Sequence, residues 1–196
     1  MSRRFAILGH GAPSTGKLNL NDLPSSGERF DVLARAVNAA LFVSHGIRKD
    51  SQIILHLLGG EGPARRILFD GGELRGVRPD ERSIAGHIGS VMKVPVPPIG
   101  HFVEVSRGIS HSGGGLVQTL SEWDVEGIEY FLLDASGESM DSLPWGSDVG
   151  FVLSDDRPIS EQELKGINWA RKISLGDIWL QGHSCISIVH HVLDGS

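Results

Sequence analysis

The chain has one cysteine and one tyrosine among 196 residues. A lone cysteine, Cys185, excludes an internal disulfide and any multi-cysteine zinc site, and it suits a reducing compartment. Aromatic residues are scarce, at 6%. No apolar run approaches the roughly 18 residues of a membrane-spanning helix, so no membrane partner is expected. The apolar stretch between Met1 and His10 is too short for a secretory signal, and the expected location is the cytoplasm. Positive charge is in deficit: 18 Lys and Arg stand against 24 Asp and Glu, a net charge of −6. Sequence-blind nucleic-acid binding needs the opposite balance. A local basic patch stays open to the pairs Arg3–Arg4, Arg48–Lys49, Arg65–Arg66 and Arg171–Lys172 if the fold gathers them. Taken singly, each pair reads as a solvated surface spot.

What is present is a sizeable core and many turns. Apolar residues make up 40%, with 26 glycines and nine prolines. At roughly 150 residues per domain, residues 1–196 read as a single domain, with no dividing linker. Phe5–Leu8 reads as a strand, and Ser25 with Glu28 makes a capping box before a helix carrying Phe30, Leu33, Val37, Ala40 and Leu41. Gly46 is a plausible stop. Ile53–Leu58 and Ile67–Phe69 are further strands, the second followed by turn residues Asp70-Gly71-Gly72. Pro79 suits the first turn of a helix striped by Ile84, Ile88 and Val91. Phe102–Val105 reads as a strand and Leu116–Leu120 as a helix, with Ser106–Gly115 the most mobile-looking internal segment. Ile128–Leu133 and Val149–Leu153 have the continuous apolar character of central parallel strands. Ser160 and Glu163 form a second capping box, Ile173–Leu175 a short strand, and Cys185, Ile188, Val189 and Val192 one face of a terminal helix. The alternation predicts an α/β fold, a mostly parallel sheet flanked by helices.

Most motifs in this sequence fail on inspection. Gly11-Ala12-Pro13-Ser14-Thr15-Gly16-Lys17 has phosphate-loop spacing. It lacks the following Ser or Thr and the helix start that such a loop needs. The nine histidines show no zinc-binding spacing, so no metal is expected. Cys185 has no activating base nearby in sequence and falls on an apolar helix face, which suits an inert buried thiol. Three apolar strand ends run into polar turns at 133–137, 153–156 and 174–177. Ligands of parallel α/β sheets sit at the carboxyl ends of strands, so these turns are the candidate small-molecule site.

Several stretches together resemble one family: residues 22–31 (DLPSSGERFD), 42–50 (FVSHGIRKD), Pro79-Asp80-Glu81-Arg82, Ile173-Ser174-Leu175, Cys185-Ile186 and the ending His190-His191-Val192-Leu193-Asp194. In this order and spacing the chain resembles the tRNA pseudouridine N1-methyltransferases of the SPOUT, or α/β-knot, superfamily over nearly its whole length. The resemblance implies a C-terminal trefoil knot, a homodimer and S-adenosylmethionine as cofactor. By position it implies a cofactor site of Leu133, Ser154, the loop Leu175, Gly176, Asp177, Ile178, Trp179 and Leu180, and Cys185 as a pocket wall. It implies catalytic roles for Arg29 and Asp31, with N1 of pseudouridine attacking the sulfonium methyl in line. Asp31 would take the N1 proton or hold the ring, and Arg29 would steady negative charge on the base carbonyls. In the dimer, Ile188, Val189 and Val192 would meet the partner.

The sequence departs from the family pattern in named places. Ser154 stands where the family has glycine, and Asp155-Asp156-Arg157-Pro158 replaces the common Asp-His-x-Gly. Leu180-Gln181-Gly182-His183-Ser184-Cys185 differs from the usual Leu-His-Ala-x-His-Cys, and Glu28 takes a glycine's place. The acceptor is therefore tRNA or a smaller nucleoside-like molecule, and the alternatives are methylation of a free nucleoside or other small metabolite, or a knotted binding protein without catalysis.

Overall fold

In the computed structural model, which describes residues 1–24, 28–146, 148–165 and 171–195, the period-2 geometry of strands builds two cores. Strand β1 (Arg3–Pro13) sends Phe5 and Ile7 to one face and Ala6 and Leu8 to the other. Both faces are covered, which is why the run is continuously apolar. The first face carries α1 (Phe30–Leu41), α2 (Glu81–Met92) and α5 (Gly182–Asp194). The second carries α3 (Leu116–Val125), whose Leu116, Leu120 and Trp123 pack with Ala6, Leu8, Leu132 and Val152.

A short antiparallel pair, β2 (Phe42–Val43) and β3 (Gly46–Ile47), follows α1. Next come β4 (Ser51–Gly59) and β5 (Arg65–Asp70), then β6 (Val103–Ser106), β7 (Ile109–Gly113), β8 (Glu129–Ser139), β9 (Val149–Ser154) and β10 (Arg171–Ser174). The helix α4 (Glu161–Lys165) lies between the last two. One sheet of eight strands results, in the order β10-β8-β9-β1-β4-β5-β7-β6. The pairings β10–β8, β8–β9, β9–β1 and β1–β4 are parallel. The pairings β4–β5, β5–β7 and β7–β6 are antiparallel. The sheet is thus parallel where the candidate site lies and antiparallel at its far edge.

Several expectations need correction. Gly46 lies in β3, because α1 already ends at Leu41 and its chain turns into the short hairpin. Ser25 of the first capping box lies outside the described residues, and α1 begins only at Phe30, after a left-handed Arg29. The second box is formed as expected: the Ser160 N–H donates to Glu163 Oε2 at 2.8 Å and Ser160 Oγ does so at 2.7 Å. Pro79 precedes α2 instead of entering it, and Asp80 is the cap, accepting from the Ser83 N–H at 2.8 Å. Ser106–Gly115 is not a loose loop. It holds β7, whose Ile109, His111 and Ser112 are buried between neighbouring elements. Strand β8 does not end at Leu133. Lys172 pairs with Leu132 but Ile173 pairs with Glu138, so residues 133–137 bulge out while the strand continues. On α5 the buried side chains are Ile186, Val189, His190 and Leu193, whereas Cys185, Ile188 and Val192 are half-buried. The expected face is rotated because α5 turns Val189 into the chain's own core, against α1.

The basic pairs are not all surface spots. Arg66 is fully buried, its guanidinium meeting Glu122 at 2.6 and 3.0 Å, Thr119 Oγ1 at 3.1 Å and the Gly113 carbonyl at 3.2 Å. Arg65 is also buried and donates to the carbonyls of Val91 and, at 2.6 Å, Val94. It thereby satisfies the open carbonyls at the end of α2. Arg3 and Arg48 converge on Asp194, at 2.5 and 2.7 Å. The Arg48 hydrogen bond, with Arg3, holds that carboxyl near a pKa of about 2.

One close approach gives a stability prediction. A Cβ on Gly150 would lie 2.5 Å from the Trp123 ring. Gly150→Ala therefore forces Trp123 off its site, and thermal unfolding should show a loss of about 1–3 kcal/mol.

Candidate functional site

The parallel half of the sheet sets the site. Leu132 pairs with Val152, so Leu133 and Leu153 lie at matching heights on neighbouring strands, and Ser154 ends β9. Ser174 ends β10, and Leu175 to Leu180 follow as an open loop. The structure brings this loop back onto β9 through the start of α5. A Cβ on Gly182 would meet Leu153 Cδ1 at 3.3 Å and the Ser154 carbonyl at 3.5 Å, so the helix start abuts the end of β9. Cys185, in the first turn of α5, directs its thiol to the Leu180 carbonyl at 3.9 Å. Burial pushes the Cys185 thiol up, away from the reactive thiolate. Ile178 and Trp179 are exposed, at 78% and 84%.

Arg29 and Asp31 meet each other and this site. Arg29 is the sole described non-glycine residue with positive φ, at 52°. Such strain is held in place by its surroundings and clusters at functional sites. From that position Arg29 Nε and a second guanidinium nitrogen donate to the two Asp31 oxygens at 3.0 and 3.2 Å. A third nitrogen reaches Asp156 of the loop after β9 at 3.1 Å. Asp31 is also bonded by Arg35, one turn on in α1, whose guanidinium continues to Gln181 Oε1 at 3.4 Å. The Asp31 side chain is 5% exposed. Burial alone raises its pKa, but the Arg29 hydrogen bond and the charges of Arg29 and Arg35 outweigh that and leave it lowered. The network thus ties the start of α1 to the loop after β9 and to the cap of α5.

Sequence reasoning missed Arg35, although its spacing of four from Asp31 on a helix was the available signal. It also missed His10, which meets Asp155 and Glu163 only in the fold, and the use of Asp156 as a partner of Arg29. Gly11–Lys17 behaves as the sequence suggested: its first residues finish β1, Ser14–Gly16 bend, and no helix follows. Separately, a polar groove of about 700 Å³ runs between α1, α2 and α5, lined by Arg35, Arg48, His183, His191 and Asp194 among others. It touches the site only through Arg35.

A parallel α/β sheet with a polar network at the carboxyl ends of its strands defines a ligand-binding α/β protein. The fold is that of Archaeoglobus fulgidus Nep1, solved bound to S-adenosylhomocysteine. The TM-score is 0.67 at 13% identity, covering 100% of this chain and 98% of that one. The family described as "Putative SAM-dependent RNA methyltransferase" matches residues 2–196, and the chain belongs to it. Relatives named tRNA (pseudouridine(54)-N(1))-methyltransferase include one from Methanospirillum hungatei, 36% identical, covering 97% of this chain and 95% of that protein. Another, from Methanococcus vannielii, is 33% identical and covers 98% of each. The family makes the chain an S-adenosylmethionine-dependent methyltransferase. Among the described residues no helix is long and apolar enough to cross a membrane.

Proposed function

We propose that this single domain methylates N1 of pseudouridine in tRNA, at the position 54 named for its relatives, and that it does so in the cytoplasm. The observation that carries the reading is the Arg29–Asp31–Arg35 network, joined to both cofactor loops through Asp156 and Gln181. Full-length identity to relatives named for that reaction supports the choice of acceptor.

The residues present suit S-adenosylmethionine. Leu133, Leu175, Ile178, Trp179, Leu180 and Cys185 offer apolar walls for an adenine. Ser154, Gly176 and Asp177 supply polar and backbone groups, and the exposed Asp156 adds negative charge suited to a sulfonium. When bound, the cofactor supplies an electrophilic methyl group. The chain's own residues orient the acceptor. Arg29 directs positive charge toward the base carbonyls, where charge gathers as N1 gives up its proton to water. Asp31, clasped by two guanidinium groups with its pKa lowered, is a poor proton acceptor. Its role is to hold Arg29 and the ring, the second of the two roles the resemblance offers.

The same reading includes a trefoil knot and a homodimer. The order β10-β8-β9-β1 supports the knot, since β10 returns to the far side of β8 after β9 and α5 then packs on α1. The exposed Ile178 and Trp179 and the half-buried Ile188 and Val192 support a second copy as partner.

Two measurements test the function. Calorimetric titration with S-adenosylmethionine should show binding, and none at millimolar ligand would sink the reading. Mass spectrometry of tRNA nucleosides after incubation should then show methylated pseudouridine. An unmodified pool would transfer the activity to a smaller acceptor.

A further inference from the structure

The loop after β9 is fastened to β1 by backbone N–H groups and by one imidazole. His10 lies near the end of β1, 145 and 153 residues in sequence from its partners. Its backbone N–H donates to Asp155 Oδ2 at 2.7 Å, and its Nδ1 lies 3.0 Å from Asp155 Oδ1. On the other side of the ring, Nε2 lies 3.0 Å from Glu163 Oε1 on α4. The Asp155 side chain is 2% exposed, and the His10 side chain 15%.

Each carboxylate passes the restraint onward. Asp155 Oδ1 also accepts the Arg157 N–H at 2.9 Å, and the Asp155 N–H donates to the Leu8 carbonyl at 2.9 Å. Ser154 Oγ donates to the Arg157 carbonyl, closing the turn. The second Glu163 oxygen holds Ser160 in the capping box. The ring thus adds one link that joins the 154–157 turn, through Asp155, to the start of α4, through Glu163, beside the backbone bonds that already hold the turn.

We propose that His10 is a positioning residue for the cofactor: its ring clamps residues 154–157 and α4 onto the end of β1 and so sets the loop that receives S-adenosylmethionine. The proposal rests on the reading that the Ser154 loop is part of the cofactor site. It assigns His10 no contact with substrate.

Both ring nitrogens face carboxylate oxygens, and only the doubly protonated ring donates at both. The charged groups acting most strongly on the ring are Asp155, from the loop after β9, and Glu163, from α4. The Asp155 hydrogen bond leads in raising the His10 pKa above its ordinary 6.5, against the opposing effect of burial. A group raised in the folded state stabilises below its unfolded pKa, and that stabilisation is lost as pH rises through the folded value. The clamp therefore holds while the ring is protonated and loosens as pH rises through the raised pKa. Pairing of Leu8 with Ser154 persists without it, so loss of the clamp frees the loop and not the sheet.

The test is calorimetric binding of S-adenosylhomocysteine from about pH 6 to about pH 9, with kcat measured at saturating cofactor. Wild-type affinity should fall as pH rises. His10→Ala should bind about tenfold more weakly at the acidic end, the change expected for one lost charge-assisted hydrogen bond, and its profile should be flat. Its kcat should change less than its KM for cofactor. Glu163→Gln keeps the side-chain shape and one acceptor oxygen but removes the charge beside the ring, so it should move the midpoint of the wild-type profile downward. It carries the test if His10→Ala does not fold. Equal affinities and an unmoved midpoint would overturn the clamp alone. No binding by the wild-type protein would overturn the cofactor reading and the clamp's role with it.

Discussion

Asp31→Asn should abolish methyl transfer while leaving cofactor binding intact. The expected loss in kcat is about 100-fold or more, the scale of effect when a reacting group is displaced by about an ångström. The geometry explains the size. Asp31 offers two oxygens, one guanidinium of Arg29 spans both, and Arg35 shares one of them. An amide can accept at one position only and presents N–H groups to a cation at the other. Arg29 then loses its two-point hold and keeps at most one bond to residue 31, beside Asp156 at 3.1 Å. Its strained backbone, at φ 52°, has less to fix it. The cofactor loops are held by other contacts, so the affinity for S-adenosylmethionine should stay within about twofold of wild type. The check is a pair of measurements on one preparation, calorimetric affinity and methyl incorporation into tRNA. Full activity in the variant would remove Asp31 from the site.

The sheet was legible in the sequence because its strands are buried on both faces. Phe5–Leu8, Ile53–Leu58 and Val149–Leu153 are short apolar runs that leave little other choice. Helix faces were legible where one side is polar, as in α1, but not in α5. There the half-buried Cys185, Ile188 and Val192 have the same composition as the buried face. The bulge at 133–137 was read as a strand end, since a polar turn inside a strand and one after it share residue types. Arg65 and Arg66 misled for another reason. Charge counts do not show that β5 runs between β4 and β7 or that Glu122 waits on α3.

The candidate site was legible only as local pieces. Arg29 and Asp31 are neighbours in sequence, and the family pattern named them together. Asp156 and Gln181 join them only because parallel strands bring the loop after β9 and the start of α5 to one edge. The acidic balance of −6 argued against sequence-blind nucleic-acid binding, and that is compatible with an RNA methyltransferase. Four of the 18 cations, Arg3, Arg48, Arg65 and Arg66, are engaged within the fold by Asp194, Glu122 and the carbonyls ending α2. Affinity for an RNA acceptor then has to come from fitting one base and its surroundings, with a modest salt dependence.

Glu122→Ala should be among the most destabilising single changes in the chain. Arg66 has no solvent exposure, and Glu122, with a quarter of its side chain exposed, is the carboxylate that neutralises it. Burial raises the Glu122 pKa, but the Arg66 hydrogen bond, joined by Gln118, outweighs it and leaves the group lowered. A lowered carboxylate stabilises above its unfolded pKa and ceases to do so as pH falls through the folded value. Truncation leaves a buried guanidinium with only Thr119, Ser112 and the Gly113 carbonyl as neutral partners. Breaking a buried pair from one side costs about 3–5 kcal/mol, and the partial exposure of Glu122 puts the expected value near the lower end. The nearby His56 cannot help by changing charge. It is fully buried, and burial, aided by Arg66, holds its pKa near about 3. Arg66→Met with Glu122→Leu removes both charges and should recover most of the loss, because the desolvation penalty disappears with the attraction. Urea unfolding of Arg66→Met, Glu122→Leu and the double gives the coupling directly. Additive losses would show that Arg66 is held by its neutral partners, with Glu122 a surface contact of little weight.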